Sequence, residues 1–104
     1  METAMARLRI GHLRLKAHLF RFGLTTDPNC TICGVPEDTK HVLEECSKSR
    51  RERLVMYHNL HRLGILTINT KVLLGGGVFD LNTQQEIRKA VEYFLSSSGT
   101  IDKI

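Results

Sequence analysis

Between residues 8 and 24 the apolar positions fall on two adjoining stripes, Leu8/Leu15/Leu19/Phe22 and Ile10/Leu13/Ala17/Phe20, with Arg7, Arg14, Lys16 and Arg21 between them. Such recurrence predicts a helix buried on a broad side. Alternation through Leu8, Ile10, Leu13 and Leu15 leaves a strand open near the start. Gly11 weakens the first turn of either element, so the helix is expected from about His12 to Gly23, a residue type favoured just past a helix end. Thr25 to Asn29 is turn chemistry, because Pro28 fixes a dihedral and Asp27 and Asn29 bond their own backbone. Gly34, Pro36 and Asp38 forbid a long element before His41. Thr39 is expected to cap a short helix carrying His41 through Glu45, and Ser47 or Ser49 to cap a longer one through Arg62. Its apolar side is expected to be Leu54, Met56, Leu60 and Leu63, with Gly64 as the stop.

Farther on, residues 67–74 read as a short helix or turn ending at Gly75, Gly76 and Gly77, a run expected to be a hinge or loop, since each glycine costs a helix about 1 kcal/mol relative to alanine. Asn82, followed by Gln85 and Glu86, predicts a helix start. Ile87, Ala90, Val91, Phe94 and Leu95 then repeat at spacings of three and four to about Ser96. The expected architecture is a mostly α, small helical domain. Its parts are a basic N-terminal helix (1–24), a metal-binding loop with a short helix (25–50) and C-terminal helices (51–104). Phe20, Phe22, Phe79, Tyr93 and Phe94 are expected in the core, as their spacings suggest.

At 104 residues, 41% apolar and 25% charged, the chain has the composition of one soluble globular domain. No apolar run approaches the roughly 18–20 residues that span a bilayer, and the N-terminus lacks the apolar core of a secretion signal. The expectation is an intracellular protein, nuclear or cytoplasmic, with no membrane partner. The net charge of +4 conceals a pattern: residues 1–24 carry five Lys or Arg against one acid, 25–46 one against five, 47–62 five against one, and the remainder balances. Two basic arms flanking an acidic loop are the footprint of a surface that meets phosphates.

Three cysteines, two of them two residues apart, make a poor disulfide framework and a good metal framework. Cys30, Cys33, His41 and Cys46 form C-x2-C-x7-H-x4-C. The two-residue gap lets a tight turn aim both sulfurs at one ion, and four ligands close a tetrahedron, leaving no position for a reactive water. The expected cofactor is therefore a structural Zn2+. Glu44 or Glu45 as the fourth ligand is less favoured, because structural zinc prefers sulfur and nitrogen. Three thiolates and an imidazole leave a net negative site that Lys40 and Lys48 can offset. A redox reading of Cys30 and Cys33 needs a strand-to-helix setting, and loop residues surround the pair. No enzyme is expected. His12 and His18 read as half-buried helix histidines, His58 and His61 as surface residues, and the glycine run lacks the Lys-Ser/Thr ending of a phosphate loop.

The Arg7-to-Leu24 stretch with its Leu8-Arg9-Ile10-Gly11-His12 core, the zinc pattern with Glu37, Asp38 and Thr39 before His41, and Glu44, Glu45, Arg50 and Arg53 around Cys46 together resemble one family. It is the C-terminal region of non-LTR retrotransposon polyproteins, the zinc-binding segment downstream of the reverse transcriptase and, where present, the RNase H domain. The resemblance covers nearly the whole chain. It implies a module that binds element RNA or target DNA during reverse transcription, here as a fragment or a host-adopted copy. Viral zinc knuckles place a stacking aromatic near the first cysteines. Ile32 and Val35 stand there in this chain, so binding is expected to rest on Arg14, Arg21, Arg50, Arg51 and Arg53 contacting phosphates. The alternative is a zinc-stabilised scaffold whose basic faces meet another protein or the reverse transcriptase region.

Overall fold

Helices make up the regular structure throughout a computed structural model that describes residues 4–10 and 14–104. In chain order they are α1 (Ala4–Ile10), α2 (Lys16–Arg21), α3 (Arg50–Arg62), α4 (Thr70–Leu73) and α5 (Leu81–Ser97). A wide π-type turn spans His41–Glu45, and single 3-10 turns span Ser47–Ser49 and Thr100–Lys103. Among the described residues the one β feature is an isolated bridge between Asn29 and Pro36. No helix among them is long and apolar enough to cross a membrane.

The longest helix, α5, packs most extensively on α3. Its Ile87, Val91, Phe94 and Leu95 are buried, as the three-and-four spacing predicts, and Ala90 is half-buried. Each such side chain contributes about 1.5–3 kcal/mol when fully withdrawn from water. From α3, Met56 and Leu60 meet them, joined by Leu73 of α4 and Met5 and Leu8 of α1. Val42 and Leu43 extend the same core into the π-type turn, so the metal loop rests on the helical pair.

Helix ends explain where the elements stop. Asp80, two residues before the expected start, caps α5 by accepting a 2.7 Å bond from the Thr83 amide, the N-cap role favoured for Asp. Asn69 caps α4 through the Val72 amide at 3.0 Å. Gly64 follows α3 while Ile65 N–H reaches back to the Leu60 carbonyl at 3.2 Å, closing that helix as expected. Ser49 precedes α3 without a side-chain cap bond.

Three expectations need correction. The segment before Leu15 is helical over Ala4–Ile10 rather than extended. Gly11, His12 and Leu13, and with them the expected helix start and the half-buried His12, lie outside the described residues. The helix that follows, α2, buries none of its residues. Phe20 and Phe22 are exposed, and so is Tyr93 on α5. A helix of six residues has too little length to present a broad stripe to a core already filled by α1, α3 and α5. On α3, Leu54 and Leu63 are likewise exposed, and the inward face is Arg53, Met56 and Leu60. The three-glycine run is a loop, as expected, and a tightly wrapped one. Gly76 N–H bonds the Lys71 carbonyl at 2.7 Å, and a Cβ at Gly76 would fall 2.8 Å from that oxygen, closer than any side chain permits.

Candidate metal centre

The first two cysteines lie on a knuckle that the backbone closes on itself. Asn29 N–H bonds the Asp27 carboxylate at 2.9 Å, setting the entry turn expected from Asp27, Pro28 and Asn29. Cys30 N–H then bonds the Val35 carbonyl at 2.7 Å, Gly34 N–H the Cys30 carbonyl at 2.9 Å, and Glu37 N–H the Pro28 carbonyl at 2.9 Å. Gly34 turns the chain with φ +72°, a left-handed conformation that a Cβ disfavours. These bonds bring the Cys30 and Cys33 side chains to one side of the loop.

The other two ligand candidates lie on the π-type turn. Asp38, rather than Thr39, caps it: the His41 amide donates to Asp38 Oδ1 at 2.8 Å. At the far end Cys46 N–H reaches the His41 carbonyl at 2.8 Å, a bond spanning five residues. On an ordinary α-helix, at 100° per residue, position 46 would stand about 140° around from position 41. The wider turn reduces that offset and lets both side chains converge.

Convergence is tight. The ligand atoms of Cys30, Cys33, His41 and Cys46 all lie within 4.8 Å of one another. Cys30 Sγ and Cys46 Sγ are 3.9 Å apart. A tetrahedron with metal–sulfur bonds of about 2.3 Å has edges of about 3.8 Å, whereas a disulfide would require about 2.05 Å; all three cysteines are free. His41 is 1% exposed, and neither ring nitrogen has a hydrogen-bond partner. The Glu45 carboxylate lies 3.9 Å from Nδ1, beyond hydrogen-bond reach. A buried polar atom left unsatisfied costs about 1–3 kcal/mol, and coordination to a cation would satisfy it. The donor set thus fits a closed four-ligand metal site.

Surrounding groups tune the thiols in opposite directions. The Ser47 hydroxyl, 3.4 Å from Cys33 Sγ, and the Ser47 backbone hold the Cys33 thiol below its ordinary range. Burial pushes the Cys46 thiol up. Lys48 lines the same small cavity as Cys30 and Cys46, in keeping with its expected role beside a negative site. Lys40 is exposed and faces a different groove. Glu44 is not a ligand candidate, because its carboxylate accepts from Thr70, from the amide at 2.9 Å and also from the hydroxyl.

Arg53 departs most from expectation. Instead of facing solvent for a phosphate, it is 7% exposed. Its guanidinium donates to the carbonyls of Leu43 at 3.0 Å, Cys46 at 2.9 Å and Val42 at 3.3 Å. It also lies 5.8 Å from the centre of the Phe94 ring. A helix or turn end leaves carbonyls without partners. One planar fork with several donors reaches three carbonyls here, of which that of Cys46 also accepts from Ser49 N–H at 3.3 Å, while bridging the metal turn to α5. The sequence held a signal for this: Arg53, Met56 and Leu60 share one helical face at spacings of three and four. Glu37, named in the sequence only as part of the resemblance, is buried with its carboxylate on the Lys16 amide at 3.0 Å and the Lys103 ammonium at 2.9 Å.

The other four arginines expected to meet phosphates are exposed. Arg50 and Arg51 are exposed at the start of α3, where they and Lys48 line one shallow groove. Arg21 lines a second groove with His18 and Lys40. Arg14 is exposed and lines neither, its backbone N–H bonding the Lys103 carbonyl at 2.8 Å. His58 and His61 are exposed on α3. Set beside known protein families, curated proteins and solved structures, the chain matches none of them.

Proposed function

We propose that Cys30, Cys33, His41 and Cys46 hold one structural Zn2+, and that the chain is a zinc-stabilised nucleic-acid-binding module of the retrotransposon reverse-transcriptase type. The observation that carries the metal reading is a buried imidazole without partners among three free thiols within 4.8 Å. Bound there, the ion would supply cross-linking rather than reactivity, because four protein ligands fill a tetrahedral shell. The chain's own residues do the rest. Asp38 orients the His41 backbone, Gly34 turns the knuckle, and Arg53 anchors the turn to α3 and α5.

The nucleic-acid reading is supported by exposed Arg14, Arg21, Arg50 and Arg51 on the two basic arms, together with the resemblance of the zinc pattern and its flanks. Phosphates would be met as charge, without base readout from these four side chains. Four neutralised phosphates on a single strand predict a log–log salt slope of about −3. The test is elemental analysis for one tightly held zinc per chain, followed by fluorescence anisotropy of the loaded protein against RNA and DNA at several salt concentrations. Absent metal removes the site. Undetectable or salt-insensitive binding removes the nucleic-acid role. Exposed Leu54 and Val55 on α3 favour the second reading, a scaffold that docks to a protein, and sedimentation of the same sample would reveal self-association.

A further inference from the structure

Among the apolar side chains left outside the core, Phe20 and Phe22 lie in a stretch that carries cations and no acid. Phe22, which ends α2, is 66% exposed and Phe20 is 49% exposed. Between residues 14 and 26 there are Arg14, Lys16 and Arg21 and not one Asp or Glu. The Phe22 ring does not float free. It meets the His18 ring edge-on, centroids 5.4 Å apart at 63°, so one aromatic braces the other and the orientation is held. Beside them, His18, Arg21 and Lys40 line a groove between α2 and the metal turn. The acid in that groove, Asp38, already has its Oδ1 engaged by the His41 amide.

A large exposed ring is costly to leave in water, yet α2 offers no core to receive it. What suits a braced aromatic face next to cations is a flat π-system attached to an anion. A nucleotide base with its phosphate has both. In a duplex the base faces are stacked on one another and unavailable, whereas a single strand can splay a base onto a protein ring. Protein docking would use the same apolar area, but it would not require the cations around it.

We infer that Phe22, braced by His18 and flanked by Arg21 and Lys40, is a stacking platform for an unpaired base, which makes single-stranded RNA or DNA the ligand class. The inference rests on the nucleic-acid reading above and deepens it, replacing the aromatic that Ile32 and Val35 do not supply beside the cysteines.

The test uses the full chain prepared with zinc, with labelled oligouridylate, oligothymidylate and a mixed-sequence duplex as probes at one fixed salt concentration. The single strands are expected to bind more tightly than the duplex. Phe22→Ala is expected to weaken single-strand binding about tenfold while leaving duplex affinity and the salt slope unchanged. Phe22→Trp is expected to retain affinity and Phe22→Leu to lose as much as Ala. Because Phe22 is exposed, thermal melts of all three variants are expected to overlay the parent's. If Phe22→Leu binds like the parent, or Phe22→Ala leaves single-strand affinity untouched while Arg50→Ala lowers it, the platform is overturned and the phosphate-binding role survives. Absence of any binding by the parent defeats the nucleic-acid reading itself. A parent that self-associates and becomes monomeric on Phe22→Ala would assign the patch to a protein partner and overturn the inference.

Discussion

The loop of residues 28–46 and the α3–α5 pair are held by different physics. In the helical pair, long amphipathic elements withdraw Met56, Leu60, Ile87, Val91 and Phe94 from water, and this burial dominates their association, joined by the Arg53 guanidinium over the Phe94 ring. The loop contributes Val42 and Leu43 to the core, but most of its order comes from polar contacts. The Asp27 carboxylate holds Asn29, Asp38 holds His41, Glu37 ties Lys16 and Lys103 together, and Arg53 takes three carbonyls. Short segments cannot offset backbone entropy of about 1–2 kcal/mol per residue by apolar area. They need directional bonds, and here a set of metal donors as well.

The largest effect is expected from chelation. Structural zinc in small finger peptides is worth about 10–16 kcal/mol in apparent terms, comparable to the whole stability of about 5–15 kcal/mol typical of a domain. With a strong chelator, hydrogen exchange is expected to erase protection at the amides of Cys30, Gly34, Glu37 and Cys46 first, while α5 amides persist longer. Simultaneous loss in both regions would make them one cooperative unit and break the contrast.

Next comes the apolar side. Phe94→Ala removes a fully buried ring and is expected to lower unfolding free energy in urea by about 3–5 kcal/mol, with metal stoichiometry retained in the folded fraction. Arg53→Ala, which removes a buried donor from the Val42, Leu43 and Cys46 carbonyls, is expected to cost about 3 kcal/mol. Arg53→Lys should recover only part of it, since an ammonium cannot reproduce the planar fork. Measured well below the melting temperature, neither Arg53 variant should change the salt slope of nucleic-acid binding. A reduced slope would return Arg53 to the phosphate-contacting set.

The smallest effect concerns the α5 cap. The Thr83 hydroxyl and amide beside Asp80 hold its carboxyl below the usual carboxylate value. A depressed folded-state pKa means that the stabilisation is present above the unfolded-state pKa and is lost as pH falls through the folded one. Asp80→Asn keeps a capping oxygen and should flatten that acid limb of the stability profile without moving the neutral plateau much. An unchanged acid limb would show that other carboxylates govern it.

Most of the C-terminal half was legible in the residues, because α5 repeats its apolar positions from Ile87 to Leu95, about two and a half turns, and carries turn and cap chemistry at both ends. The clustering of Cys30, Cys33, His41 and Cys46 was legible for a different reason: C-x2-C with a distant His and Cys is a ligand spacing that tolerates little variation. What the sequence withheld lies where periodicity and charge mislead. The Leu8-to-Phe22 stripes predict a helix buried on a broad side, yet two short ones form, Ala4–Ile10 and Lys16–Arg21, and the second leaves its phenylalanines outside. A charged side chain reads as surface by composition, so Arg53 and Glu37 could be recognised as interior groups only through their register with buried neighbours or through distant partners. Asp38 rather than Thr39 at the cap is a one-residue shift of the kind that local pattern seldom resolves.

The five-residue bond from Cys46 to the His41 carbonyl has a consequence for any relative or redesign of this loop. Ligand spacing and backbone pitch act as a single ruler: shortening the gap by one residue would let the turn relax to the narrower α pitch, and lengthening it would swing the thiol toward solvent. Substitution of the exposed Glu45 should therefore be tolerated far more readily than any change in the number of residues between His41 and Cys46, whereas Val42 and Leu43 are fixed by the core.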